Sequence, residues 1–291
     1  MTPIVILQAV TVMAIWGFNF VVAKVAMTEL PPLFLMALRF SLAAAVLLPL
    51  ARLPRGNQWR ALFLYSVVMG GIHFPLIFSG VRMVDASTAS IAIQLQVPFA
   101  SILAAIFFKD QLGWRRALGM AISFAGVAVI AGIPDGRTST PHLLMVIGAA
   151  LAFAFSNIQL KWLGDVDWKT LNAYMALFAV PQLALQSFLL EQGQIEALRD
   201  LSWMGALCLL YLALMATILA YAFWYPLVKR FDVNQTIPFL LLVPIFGVGG
   251  GILALGEPLT WKLLVGGLLT IGGVGVIILR RPRLTPGRST T

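Results

Sequence analysis

Residues 85–130 read DASTASIAIQLQVPFASILAAIFFKDQLGWRRALGMAISFAGVAVI, an apolar run, a short charged corner holding Leu112-Gly113-Trp114, and a second apolar run. The same text returns in altered form 147 positions later. Asp85 falls on Asp232, Asp110 on Glu257, Leu112 on Leu259 and Trp114 on Trp261. Gly119 falls on Gly266, Gly126 on Gly273, Val127 on Val274 and Ile130 on Ile277. Chance does not hold one offset through so many positions, so the chain is an internal duplication with each copy near half its length. A slip of one residue is needed to bring Pro98 onto Pro244, which places the divergence of the copies inside one helix.

Working outward, the rest of the chain is equally apolar. Hydrophobic residues make up 60% of the 291 and charged residues 11%, and mean hydropathy is +0.93. That is too little polar surface to cover a water-soluble globule. Ten runs are long enough to cross a bilayer, which takes about 20 residues: 4–25, 31–51, 61–82, 86–108, 114–133, 143–164, 171–190, 203–228, 233–255 and 261–279. The first lacks a basic leader and is expected to be retained as a helix. The connections are short, with no room for a soluble domain and no phosphate-binding Walker sequence, so no ATP or other cofactor is expected.

The net charge of +9 would suit nucleic acid if it were gathered on one face, but the basic residues sit between apolar runs. With both termini placed in the cytoplasm, 14 of the 20 Lys and Arg residues fall on the inside and five outside, leaving Arg39 within segment 2. That bias fixes the expected orientation. Five spans per copy is an odd number, so the second copy enters upside down. The expected fold is an all-α membrane protein of ten transmembrane helices in two inverted five-helix repeats, residues 1–135 and 140–283, with a cytoplasmic tail over 284–291. Inverted repeats support alternating access about a midplane site.

All eleven acids lie at segment ends or in connections, so a buried carboxylate that exchanges a cation for a proton has no candidate. Cys208 is the single cysteine, which excludes an internal disulfide and leaves no thiol metal site. Intramembrane enzymes leave visible marks, and neither H-E-x-x-H, G-x-G-D nor G-x-S-G is present; no catalytic constellation can be assembled from His73, His142 and peripheral acids. A channel filter is likewise missing.

The polar groups at depth are the candidate substrate-binding residues, because each is expensive in lipid unless it faces protein, water or solute. Asn19 follows Trp16-Gly17-Phe18 and shares a helical face with Trp16 and Ala23; it either permits close packing or faces a solute. His73 precedes Pro75, which removes one helical hydrogen bond, and it is the only group at depth that titrates near neutrality. Phe74 and Phe78, four apart, could floor a cavity beside it. Ser87, Ser90, Gln94 and Ser101 form a polar stripe that lines a path or joins helices, and in the second copy apolar Leu241 stands at the position of Gln94. Asn157 is the expected counterpart of Asn19. Arg39 binds a substrate carboxylate or caps carbonyls at a helix end. Pro98, Pro181, Pro226, Pro238 and Pro244 mark expected kinks, with Pro98 and Pro244 as corresponding hinges. Gly119 with Gly126 and Gly266 with Gly273 suit tight packing at an internal scaffold or a homodimer seam.

Trp16-Gly17-Phe18-Asn19, Arg39-Phe40, the corner Leu255-Gly256-Glu257-Pro258-Leu259 and the ten spans resemble the ten-helix EamA family of the drug/metabolite transporter superfamily. The resemblance covers nearly the whole chain. Lys109-Asp110-Gln111-Leu112 departs from the Gly-Glu form of that corner but keeps the acid. The resemblance implies an ATP-independent exporter in the bacterial inner membrane, with a central cavity between the halves. Its expected substrates are amino acids, neutral or aromatic ones for a core with Arg39, His73 and no deep acid, and drug-like metabolites are the alternative. The expected partners are a small solute and the lipid bilayer, with the chain a monomer or homodimer. The family's substrate residues are not fixed by motif, so none is carried over.

Overall fold

The computed structural model describes residues 1–109, 112–131, 139–231 and 233–279. Asp110, the repeat boundary expected near residue 135, Asp232 and the tail 284–291 lie outside the described residues. Ten helices are long and apolar enough to cross a membrane: Pro3–Ala26, Pro32–Leu50, Gln58–Arg82, Ala86–Phe108, Trp114–Ala131, Thr140–Leu163, Trp168–Leu190, Trp203–Val228, Pro238–Leu255 and Trp261–Ile278, here spans 1 to 10. The chain is a multi-pass membrane protein.

The packing of the spans follows the duplication. Span 5 packs on span 10, span 2 on span 7 and span 4 on span 9. Other large contacts come in matched pairs: 1 on 9 with 6 on 4, 3 on 6 with 8 on 1, and 3 on 7 with 8 on 2. Exchanging span n with span n+5 returns these contacts, while those of span 4 on span 10 and span 2 on span 3 have no counterpart of similar extent. Spans 5 and 10 approach so closely that a methyl group on Gly119 would strike the carbonyl of Gly273, and one on Gly126 that of Gly266, with the reverse also true. Small residues let backbones meet where apolar burial gives no drive in lipid. The glycine face is thus spent inside one chain rather than on a partner.

Irregular turns recur at matching depths. Span 3 widens into a π-helical turn at Met69–His73 and span 8 into a longer one at Tyr211–Leu219. Span 4 tightens to 3-10 geometry at Ile93–Leu95, and the chain entering span 9 does so at Ile237–Leu241. Each tight stretch ends three residues before Pro98 or Pro244, so the irregularity sits on the N-terminal side of the proline. There the missing N–H and the ring clash free the carbonyl four residues back. Pro181 and Pro226 lie inside continuous helix, without a stretch of 3-10 or π geometry at the proline. Spans 4 and 9 also end alike, with Lys109 at φ 54° and Gly256 at φ 67°. Both take the left-handed stop that glycine adopts most easily.

The acids cap helices of the other copy. Glu257 takes the backbone N–H of Ala86 at 2.7 Å and of Ser87 at 2.9 Å, and the Ser87 hydroxyl at 2.5 Å, at the start of span 4. Glu191 takes the N–H of Leu33 and Phe34 at 2.8 and 3.0 Å, at the start of span 2. Glu29 takes the N–H and hydroxyl of Ser202, at 2.8 and 2.7 Å, ahead of span 8. The Ser202 hydroxyl and backbone N–H hold the Glu29 carboxyl below its ordinary value against burial, which acts the other way. A depressed folded-state value means that this tie is intact at neutral pH and is lost as the pH falls through it. Replacing Glu257 with Ala strands two buried N–H groups at a helix start, so thermal unfolding in detergent should show a loss of about 1–3 kcal/mol. Glu257→Gln, which still accepts, should recover part of it, and an unchanged unfolding temperature in the Ala variant would remove the cap from the list of stabilising contacts.

Candidate functional site

Arg39 lies 4% exposed at depth in span 2, where the sequence offers no acid to balance it. Its Nε donates to Thr217 Oγ1 at 2.9 Å and its Nη1 to Asn19 Oδ1 at 3.3 Å. The Thr217 hydroxyl donates in turn to the Leu212 carbonyl at 2.9 Å, five residues back, so the π-helical turn of span 8 both exposes that carbonyl and aims the hydroxyl. The rings of Phe40, Phe74 and Phe78 stand 5.6, 5.5 and 5.6 Å from the guanidinium carbon, within the range of cation–π attraction. A guanidinium has five N–H donors and no acceptor. Two are used, and no carboxylate pairs with Arg39 among the described residues.

His73 ends the π-helical turn of span 3, is 7% exposed, and its Nδ1 donates to the Ala149 carbonyl at 2.8 Å in the tautomer that this acceptor selects. Its ring meets Phe74 at 4.9 Å and Phe153 at 5.4 Å, so His73 reaches the Arg39 cluster through Phe74. Trp16 donates its indole N–H to the Ala216 carbonyl at 3.3 Å, next to Thr217, and packs edge-on to Tyr221 and Trp224 at 5.5 and 5.7 Å. Arg39, Asn19, His73, Phe74, Phe78 and Trp16 are therefore brought into one cluster from spans 1, 2 and 3, around Thr217 of span 8.

Gln94 and Asn157 stand apart from it. Gln94, 1% exposed, donates to the Leu240 carbonyl at 3.1 Å. That is the carbonyl Pro244 leaves without its helical N–H. Leu240, not Leu241, is the counterpart of Gln94 once the slip between the copies is applied, because the tight turns end at Leu95 and Leu241. Ser87 is held by Glu257, Ser90 donates to the Ser87 carbonyl and Ser101 to the Val97 carbonyl. Side chains at Gly247 and Gly251 would strike Ser90 and Ser87, so this part of the stripe joins span 4 to span 9. Asn157 is half-buried in span 6 with no hydrogen bond to the described residues. No group of His, Cys, Asp and Glu that could hold a metal occurs among the described residues.

Sequence reasoning missed Thr217, Tyr211 and Tyr221. Tyr211 donates to the Ile15 carbonyl at 3.0 Å, tying span 8 to span 1 one turn below Asn19. The only available signal was that Tyr221 and Tyr225 repeat at four-residue spacing on one face of span 8. Thr217→Val keeps the shape but removes the acceptor for Arg39 Nε; unfolding in detergent should fall by about 1–3 kcal/mol, and Thr217→Ser should restore most of it. Equal stability of Val and Ser variants would show that Arg39 does not depend on this hydroxyl.

Comparison with known proteins extends over the same residues. The model of the EamA-like transporter family matches twice, at residues 3–132 and 140–279. A Salmonella typhimurium protein named "Probable amino-acid metabolite efflux pump" is 30% identical over 275 residues, covering 91% of this chain and 92% of its own. An Escherichia coli protein of the same name is 28% identical with the same coverage. An "Uncharacterized transporter" of Archaeoglobus fulgidus is 27% identical, covering 95% and 99% of the two chains. A solved crystal structure, 18% identical, superposes with a TM-score of 0.67 over 95% of this chain and 96% of that one, and speaks to the fold alone.

Proposed function

The chain belongs to the EamA-like transporter family, a transporter rather than an enzyme, and from that premise we propose that it exports neutral amino acids or closely related small metabolites. Transport runs without ATP, by alternating access between two inverted halves, residues 1–135 and 140–283, in the bacterial inner membrane with both termini cytoplasmic. The names of the relatives support the solute class. The matched packing of spans and the double family match support the repeat.

The observation that carries the site is Arg39. A buried guanidinium with unused N–H donors, walled by aromatic rings, is complementary to a carboxylate attached to an apolar or aromatic group. Asn19 and Thr217 fix its direction, His73 fixes the Phe74 wall, and Trp16 supplies a further ring. Gln94, held across spans 4 and 9, and the turns before Pro98 and Pro244 form the moving part; Asn157 is the polar group that span 6 offers to the passage. A drug-like organic acid would meet the same groups, and the Trp16–Tyr221–Trp224 cluster favours that second reading for flat solutes.

Purified protein in liposomes should show saturable flux of labelled L-phenylalanine or another neutral amino acid without ATP. Arg39→Gln should lower affinity by about tenfold or more, the effect of losing a charge-assisted hydrogen bond, while phenethylamine, which lacks the carboxylate, should respond the same to both proteins. His73→Ala should weaken binding less, and His73→Gln should recover part of it. Non-saturable flux, a chemically altered solute, or normal affinity in Arg39→Gln would overturn the reading. For the moving part, Pro98→Ala and Pro244→Ala should each slow the exchange of engineered cysteines between the two faces; parental rates in both would discard the hinges.

A further inference from the structure

Away from the Arg39 cluster, where the chain turns from span 6 into span 7 and span 8 ends, lies a cavity of about 430 Å³ lined by Asp167, Trp168, Tyr225, Pro226 and Arg230. Its two charges have opposite sign, and the groups between them are apolar or aromatic.

Asp167 is fixed in place. Its Oδ1 accepts the N–H of Lys169 at 3.0 Å and of Thr170 at 3.1 Å, and its Oδ2 the Thr170 hydroxyl at 2.7 Å. A carboxylate oxygen accepts two hydrogen bonds, so Oδ2 retains one position. Burial pushes this carboxyl up, but the hydrogen bonds from Thr170 and Lys169 and the Arg52 charge outweigh it, leaving it below its ordinary value and ionised. Arg230, exposed at the end of span 8, has the ring of Phe231 at 5.7 Å and no carboxylate partner among the described residues.

The cavity is also connected to the deep cluster. Tyr225 lies one helical turn from Tyr221, and Tyr221 packs on Trp16, whose indole is bonded beside Thr217, the partner of Arg39. Aromatic side chains one helical turn apart thus lead from the cavity to Trp16, which is bonded beside the Thr217 that holds Arg39.

We infer that this cavity is an entry subsite for a zwitterionic amino acid, which places its carboxylate on Arg230, its ammonium on Asp167 and its side chain on Trp168 and Tyr225 before passing to Arg39. The inference rests on the transport proposed above and assigns it a second, outer stop. The arrangement repeats the guanidinium and aromatic part of the deep site, with a carboxylate added, at lower affinity because exposed charges are hydrated and screened. That gradient lets a solute be collected at the mouth and held more firmly inside.

The test uses the full chain in membrane vesicles, with transport of L-phenylalanine measured separately from each face. Arg230→Gln should raise KM by about tenfold from the face bearing the span 6–7 connection, with the maximal rate, the opposite face and the unfolding temperature unchanged. Arg230→Lys should retain most of the affinity, and phenethylamine, with no carboxylate, should show no change. An unchanged KM in Arg230→Gln, an equal rise from both faces, or the same rise for phenethylamine would overturn the subsite while leaving the transport reading intact. Absence of saturable L-phenylalanine flux in the parental protein would overturn both.

Discussion

Lipid offers no hydrogen bonds, so every backbone group that a helix leaves open at depth must find a partner in the protein, and this constraint ties the two halves together. The open groups are of two kinds, N–H groups at helix starts and carbonyls behind prolines. Glu257 and Glu191 of the second half serve the starts of spans 4 and 2, and Glu29 of the first half serves the turn entering span 8. Pro244 frees the Leu240 carbonyl, which Gln94 takes from the other half; Pro75 frees the Gly71 carbonyl, which Gln186 takes at 3.1 Å. Each half thus relies on the other for part of its backbone, although Asp167 caps span 7 from within its own half. The glycine contact of spans 5 and 10 then adds close packing between parts that are already committed to each other.

Magnitudes decide how Arg39 survives at depth without an acid. A cation near a bilayer centre costs about 3 kcal/mol on insertion scales. Hydrogen bonds to a charged group return about 1.5–3 kcal/mol each, and cation–π contacts add about 0.5–2 kcal/mol each. Two of the first and three of the second are enough to hold the fold with no ligand bound. The surrounding polarity is therefore sufficient for stability yet leaves N–H donors unspent, which is what the proposed recognition of a carboxylate requires. A paired Arg–Asp at the same place would leave fewer donors for a solute.

The span count, the glycine packing faces and the inward face of span 4 were legible because each is written in local spacing, though not whether the glycines meet inside one chain or across a dimer. So was the isolation of Arg39, though not the choice between anchoring a solute and capping a helix. Among the described residues Arg39 donates to Thr217 and Asn19, and the Thr217 contact joins positions 178 residues apart. No periodicity reports such a pairing. The π-helical turns were equally hidden, since Tyr211–Leu219 is a plain apolar run whose extra residue per turn is set by what it packs against. Glu29, Glu191 and Glu257 lie at segment ends as expected, but their work as caps on the other half depends on partners about 160–170 positions away, which only the assembled bundle brings near.

The departure from symmetry is the part with mechanical meaning. Gln94 and Leu240 are equivalent positions, so their contact lies where the two copies meet about their common axis, and a pair of glutamines there could serve both prolines alike. This chain keeps one. Gln94 closes the carbonyl behind Pro244, while no side chain of the second half does the same for the carbonyl behind Pro98 among the described residues. Two inverted halves with identical breaks would make the two open states equal in energy by symmetry alone. Under the proposed alternating access, one braced and one unbraced break would remove that equality, and a single amide would be enough: a hydrogen bond of about 1 kcal/mol shifts a two-state population about fivefold.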